Sequence, residues 1–157
     1  MLAHSAESAI SVLTEINETH RISWGNNELG TLGNGKDSLR VVPTRVVGNL
    51  QFASIALGSS HACGLTTTGE AHCWGNNAYG QLGDGTTAAK RVPTKVSGTQ
   101  TFRSISAGGF RTCAVTANGE THCWGQKFGS RIGEPAATGA TLVPTRMGDV
   151  TFGTQTE

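Results

Sequence analysis

His61-Ala62-Cys63-Gly64-Leu65-Thr66, Thr67-Thr68-Gly69, Glu70-Ala71-His72-Cys73-Trp74-Gly75: this stretch reads as two short strands joined by a three-residue loop. Such a loop is commonly a type I turn followed by a left-handed residue, a position glycine fills without steric cost. Thr66 then faces Glu70, and the register runs back to set Cys63 directly opposite Cys73. The same sentence returns at Arg111 to Gly125, where Ala117-Asn118-Gly119 is the loop and Cys113 falls opposite Cys123. A two-residue Asn118-Gly119 turn would instead set Cys113 against Trp124. The three-residue loop is preferred because Thr68 stands where a two-residue turn wants Asn or Gly.

Opposed residues on antiparallel strands have Cα atoms about 4.5 to 5.5 Å apart, within disulfide range. Cys63 with Cys73, and Cys113 with Cys123, are therefore disulfide candidates, each closing a loop of about 11 residues and adding up to about 3 kcal/mol. The other reading is four reduced cysteines filling a sheet interior. A metal site built from His61, Cys63, His72 and Cys73 is not expected. His72 and Cys73 point to opposite faces of a strand, Arg111 stands in the third unit where His61 stands in the second, and the spacing fits no zinc-finger pattern.

The unit repeats along the chain. Trp24, Trp74 and Trp124 recur at intervals of 50, each followed by glycine, and Phe52, Phe102 and Phe152 keep the same interval. Val42-Pro43-Thr44 returns as Val92-Pro93-Thr94 and as Val143-Pro144-Thr145. A repeat of this length is the signature of a solenoid or propeller. Further strands are read at Ser54 to Leu57 and Ser104 to Ala107, and a weaker one at each Val-Pro-Thr segment, where proline suits a sheet edge. The chain is expected to be all-β: a β-propeller arc of about three four-stranded blades, part of a larger propeller. Approximate repeats are 8–51, 52–101 and 102–151, with 152–157 the start of a truncated next blade, the whole of 1–157 forming one unit. Aligning Leu13-Thr14 with Leu65-Thr66 puts Ser11 and Ser23 at the two cysteine positions of the first unit, so that Ser11 to Trp24 is a degenerate hairpin.

At 157 residues the chain has the size of one domain. Its 22 glycines and 6% aromatics suit many short strands with tight turns. Twelve basic and eleven acidic side chains leave a net charge of +1, which gives no excess positive field for nucleic acid. No apolar run is long enough to cross a membrane, and Met1 to Leu13 lacks a signal-peptide pattern. There is no nucleophile elbow, P-loop or HExxH motif, so no enzyme, cofactor or catalytic residue is expected.

Trp24-Gly25-Asn26-Asn27-Glu28-Leu29-Gly30-Thr31-Leu32-Gly33-Asn34-Gly35 and Trp74-Gly75-Asn76-Asn77-Ala78-Tyr79-Gly80-Gln81-Leu82-Gly83-Asp84-Gly85 closely resemble the regulator of chromosome condensation repeat. The third unit matches from Cys113 to Gly125 and then departs. The resemblance implies a seven-bladed ring much longer than this chain. The chain is accordingly read as a piece of a longer propeller, or as a unit that self-associates to cover exposed blade faces. Within the family, roles include nucleotide exchange on a small nuclear GTPase, chromatin binding, and inhibition of β-lactamases by a secreted bacterial protein.

These readings converge on a non-enzymatic protein–protein interaction module that binds a protein partner through its rim loops. The alternatives are an exchange-factor-like regulator of a small GTPase and a secreted inhibitor of a partner enzyme. Partner-binding candidates are charges that vary between units: Glu28, Lys36, Asp37, Asp84, Lys90, Arg91, Lys127 and Arg131. Leu29, Tyr79 and Phe128, at matching places in the glycine motif, are expected to pack between blades. Paired cysteines point to the outside or envelope of a bacterium, where disulfides persist; reduced ones would place the chain in the cytoplasm.

Overall fold

The computed structural model describes residues 10–15, 21–127 and 139–147. They form eleven strands and, among the described residues, no helix: β1 (Ile10–Glu15), β2 (Arg21–Gly25), β3 (Arg40–Arg45), β4 (Phe52–Leu57), β5 (His61–Thr66), β6 (Ala71–Gly75), β7 (Lys90–Lys95), β8 (Phe102–Gly108), β9 (Arg111–Thr116), β10 (Thr121–Gln126) and β11 (Ala140–Arg146). The strands make two four-stranded antiparallel sheets, β4-β5-β6-β7 and β8-β9-β10-β11, and a three-stranded sheet β1-β2-β3. This is an all-β, partial propeller. The proline-bearing strands β3, β7 and β11 lie at the sheet edges, where a missing backbone N–H costs no ladder bond. The expected start of a further unit at 152–157 lies outside the described residues.

The hairpin register follows from the turn. Thr66 N donates to Glu70 O at 2.9 Å and Gly69 N to Thr66 O at 3.0 Å, with Gly69 at φ +85°. The threonine hydroxyl then accepts from Glu70 N at 2.9 Å, and Thr116 repeats the contact with Glu120 N at 3.0 Å. Cys63 faces Cys73 and Cys113 faces Cys123, and both pairs are joined, with S–S distances of 2.13 and 2.15 Å. The first unit departs from its expected register: Ser11 pairs with Trp24, not with Ser23. An irregularity between Ser11 and Thr14 takes up the extra length of β1, and a bulge of this kind breaks the one-to-one count on which the alignment rested.

The core lies between the sheets. Trp74 and Trp124 are 1% exposed, and each stacks at a tilt on a phenylalanine of its own sheet, Phe52 at 5.7 Å and Phe102 at 6.1 Å. Burying an indole is worth on the order of 5 kcal/mol before ordering entropy. Each ring also reaches the unit before it. A Cβ on Gly33 would lie 2.8 Å from the Trp74 indole nitrogen, and one on Gly83 would lie 2.7 Å from that of Trp124. Cys63, Cys73 and Leu82 from the second unit join Phe102, Ala114 and Trp124 from the third in one cluster.

A polar thread crosses the same junction. Thr112 donates its hydroxyl proton to Gln81 O at 2.9 Å, so its oxygen receives the Nε2–H of His61, 2.9 Å away. His61 is fully buried, and its Nδ1 has no partner among the described residues. Burial pushes its pKa down to about 4. His72 is lowered as well, chiefly by burial.

Three outcomes follow from this packing. Gly119 has φ +88° and open space around it, whereas Gly83 has φ +68° and the Trp124 ring against it. Gly119→Ala should cost about 1 kcal/mol for the backbone alone, and Gly83→Ala at least about 2 kcal/mol more, read from thermal unfolding. For His61, the folded value lies below the unfolded one, so its stabilisation is full above pH 6.5 and is lost as pH falls from 6.5 toward 4. The loss should reach about 3 kcal/mol. Urea unfolding at pH 7.5 and 4.5 measures it, and an equal pH slope in His61→Leu would rule this account out. For the cysteines, the unreduced, denatured chain should titrate no thiol. Graded reductant on the folded protein should open Cys113–Cys123 first, because Cys113 is partly exposed while Cys63 and Cys73 are 0% exposed. Alkylation followed by mass spectrometry gives the order.

Candidate interaction rim

Antiparallel strands send alternate connections to opposite ends of a sheet. The loops 26–39 and 76–89 leave the β2 and β6 ends and share one rim with Lys127, at the matching end of β10, and with the short turns 58–60 and 109–110. The hairpin turns 67–69 and 117–119 lie on the other. The rims differ in how their charges are used. On the hairpin side, Glu70 pairs with Lys95, and Glu120 pairs with Arg146 at 3.1 Å, the same pair copied from one sheet to the next. The Lys95 ammonium, by hydrogen bond and charge, holds the Glu70 carboxyl below its usual range.

On the loop side, every described candidate falls on the rim, but the roles divide. Glu28, Lys36, Asp37, Arg91 and Lys127 are exposed. Arg91 Nη2 lies 2.6 Å from Asp37 Oδ2, bridging the first unit's loop to the start of β7. Gly35 N donates to Arg91 O at 2.9 Å across the same junction. Lys90 Nζ sits 3.3 Å from Asp84, whose side chain is only 7% exposed. Asp84 faces inward. It accepts from Asn77 Nδ2 at 3.1 Å, Thr86 N at 2.9 Å and Thr86 Oγ1 at 2.8 Å. Burial would raise its pKa, but the hydrogen bonds from Thr86, Asn77 and Lys90 outweigh this and hold it low. Asp84 therefore binds its own loop. Arg131 and Phe128 lie outside the described residues.

Sequence reasoning passed over the residue that organises these loops. Asn77, 0% exposed, accepts from Leu82 N at 3.0 Å and donates to Thr86 O at 2.9 Å and Ala88 O at 3.1 Å. Asn27 does the same in the first unit, accepting from Leu32 N at 3.0 Å and donating to Asn34 Oδ1 at 3.1 Å and Lys36 O at 2.8 Å. The signal was an asparagine at matching positions followed seven residues later by Asn34 or Asp84. The third unit has Lys127 at that place, and Lys127 is exposed. Leu29 and Tyr79, expected to pack between blades, are 42% and 40% exposed at the loop tips.

The rim is thus a set of preorganised loops that present charges and two apolar side chains. The profile of the Regulator of chromosome condensation (RCC1) repeat matches residues 22–65 and 68–115, and a second profile of this repeat matches 52–81. No curated protein sequence matches the chain. Among solved structures, human WBSCR16 is similar with a TM-score of 0.72 and 25% identity, over 84% of this chain and 35% of that one. Prp20p from Saccharomyces cerevisiae, described with its binding properties to Gsp1p and histones, is similar with a TM-score of 0.73 and 23% identity, over 91% of this chain and 39% of that one. Yeast RCC1 (Prp20) bound to Kap60 gives 0.66 and 20%, over 95% and 39%. The chain spans less than two fifths of the length of these relatives. With two consecutive profile matches covering more than half of its residues, laid over the sheets just described, the chain belongs to the regulator of chromosome condensation (RCC1) repeat family.

Proposed function

We propose that this chain is a non-enzymatic interaction module that binds a protein partner through the loop rim carrying Glu28, Lys36, Asp37, Arg91 and Lys127. One observation carries the reading: charges that differ from unit to unit collect on this rim, while the opposite rim uses its charges in repeated internal pairs. Surface loops held by buried asparagines give binding groups a fixed position, and this lowers the ordering cost of association. The two joined cysteine pairs favour an oxidising compartment, and a location outside the cytoplasm is part of this proposal. The likeness to Prp20p is one of fold and gives exchange activity no residue-level support.

The test is affinity capture from lysate of the source organism with the unchanged protein, Lys36→Glu, Lys127→Glu and Ala117→Glu, the last on the opposite rim. A specific partner should be retained by the unchanged protein and by Ala117→Glu, and reduced at least tenfold by the two lysine reversals. Equal retention by all four would overturn the rim assignment. Release of bound nucleotide from a small GTPase on mixing would replace this function with exchange.

A further inference from the structure

One side chain of the third unit is plugged into the second. Thr112, 1% exposed, meets three groups across the junction. Its hydroxyl proton goes to Gln81 O at 2.9 Å, its oxygen receives His61 Nε2–H at 2.9 Å, and Cys63 Sγ lies 3.6 Å away. His61, Gln81, Cys63 and Cys73 are all 0% exposed. The Cys63–Cys73 disulfide lies on the face of its sheet that Phe102, Ala114 and Trp124 of the third unit cover. A reductant therefore reaches this bond only when the junction parts.

The bonding pattern fixes the tautomer of His61. Thr112 gives its one proton to Gln81, so the ring carries its own on Nε2 and leaves Nδ1 bare. Nδ1 is buried and has no partner among the described residues. The Gly58 backbone lies so close that a side chain there would run into the ring, and Gly75 of β6 is pressed against the His61 backbone. A second proton would land on an atom with no acceptor and charge a ring that nothing neutralises. Arg111 on β9 and His72 on β6 alternate to the far faces of their strands. In the 76–89 loop and β7, Asp84 and Lys90 pair with each other, and Arg103 of β8 is exposed.

We propose that His61 is an acid-sensitive latch on this junction: protonation of its ring parts Thr112 from the second unit and opens the Cys63–Cys73 disulfide to reduction. The latch uses none of the exposed rim charges and stands apart from the partner-binding reading. Its size follows from linkage. Burial holds the closed ring at a pKa of about 4, against 6.5 for a ring in water. Between pH 7.5 and 4.5 that difference raises the opened fraction by about seventyfold at most. Where closing is fast, attack on a buried bond follows the opened fraction.

The molecule carries its own reference, since Cys113–Cys123 lies on the face of β9 away from Thr112 and Cys113 is partly exposed. The probe is tris(carboxyethyl)phosphine, which needs no thiolate. The phosphine attacks one sulfur, the S–S bond breaks, and water carries phosphorus to the phosphine oxide, leaving two thiols. After timed exposure and removal of the reductant, denaturation, alkylation and peptide mass spectrometry give both rates. The ratio of the Cys63–Cys73 rate to the Cys113–Cys123 rate should rise at least tenfold from pH 7.5 to 4.5. In His61→Gln, which keeps a donor for Thr112 but gains no proton, it should rise less than twofold. Amide hydrogen exchange by NMR reads the same opening with no substitution. Gly85 N on Leu142 O and Phe102 N on Gly69 O bond across this junction, and Gly35 N on Arg91 O across the first. Corrected for intrinsic rates, the Gly85 and Phe102 amides should lose protection at pH 4.5 while Gly35 keeps its own. A flat rate ratio in the unchanged protein, an equal rise in His61→Gln, or equal loss of protection at Gly35 would each overturn the latch.

Discussion

Trp74 against Gly33 and Trp124 against Gly83 form the contact on which the rest of the fold depends. The indole comes so close to the glycine of the preceding unit that the α-carbon there can carry no side chain. A single sheet cannot cover its own faces, and the tryptophan of the next unit covers part of one of them. Ring and glycine must therefore recur together at a fixed interval. The contact also fixes where the rim loops start, because Gly33 and Gly83 lie inside them. From that anchor the buried asparagines, Asn27 and Asn77, fold each loop back on itself. Packing between sheets and order at the rim are thus one structure, since the loop that a partner would meet is also the loop that seats the next tryptophan.

Much of this was legible because it is local or periodic. The left-handed glycine at position 69 dictated the turn, the turn dictated the register, and the register brought the cysteines face to face. The prolines of the edge strands announced their own position. What the period could not report was a break in strand geometry. Ser11 was matched to Ser23 by counting, and an irregularity in β1 moved it opposite Trp24. Nor could it separate a charge that faces water from one that faces its own loop. Asp84 reads as a rim charge because it is a loop charge that varies between units, yet Asn34 at the matching place of the first unit makes the equivalent bond to Asn27. That equivalence, a polar residue kept at one loop position whatever its charge, was the available sign of an inward role. Leu29 and Tyr79 misled in the opposite way, since a matching apolar position is buried only if the loop turns it inward.

The first and second junctions show how a repeat can vary without losing its fold. At one, the indole N–H of Trp74 takes the carbonyl of Thr31. At the other, the carbonyl of Gln81 goes to Thr112, which in turn holds His61, and the Trp124 N–H is left without a partner among the described residues. An unpaired buried donor costs about 1 to 3 kcal/mol. The same junction instead makes the Thr112–His61 link and sets the Thr112 hydroxyl 3.6 Å from Cys63 Sγ, so the exchange of partners is confined to it. In a linear array, stability is close to a sum of units and neighbouring interfaces, and a change confined to one junction leaves the others untouched.

That independence decides where specificity can reside. The tryptophans, the glycines beneath them and the turn threonines hold contacts that recur from one unit to the next, and a change there weakens the array. Loop tips make no such bond. Leu29 can become Tyr79, and Ser60 can become Phe110, while the tryptophan below still finds its glycine. The seated tryptophan keeps the loop base rigid, and a rigid base lets an exposed tip bind without first having to be ordered. Recognition on this scaffold is therefore written in the departures from the repeat, at the tips, and its precision comes from the residues that do not depart.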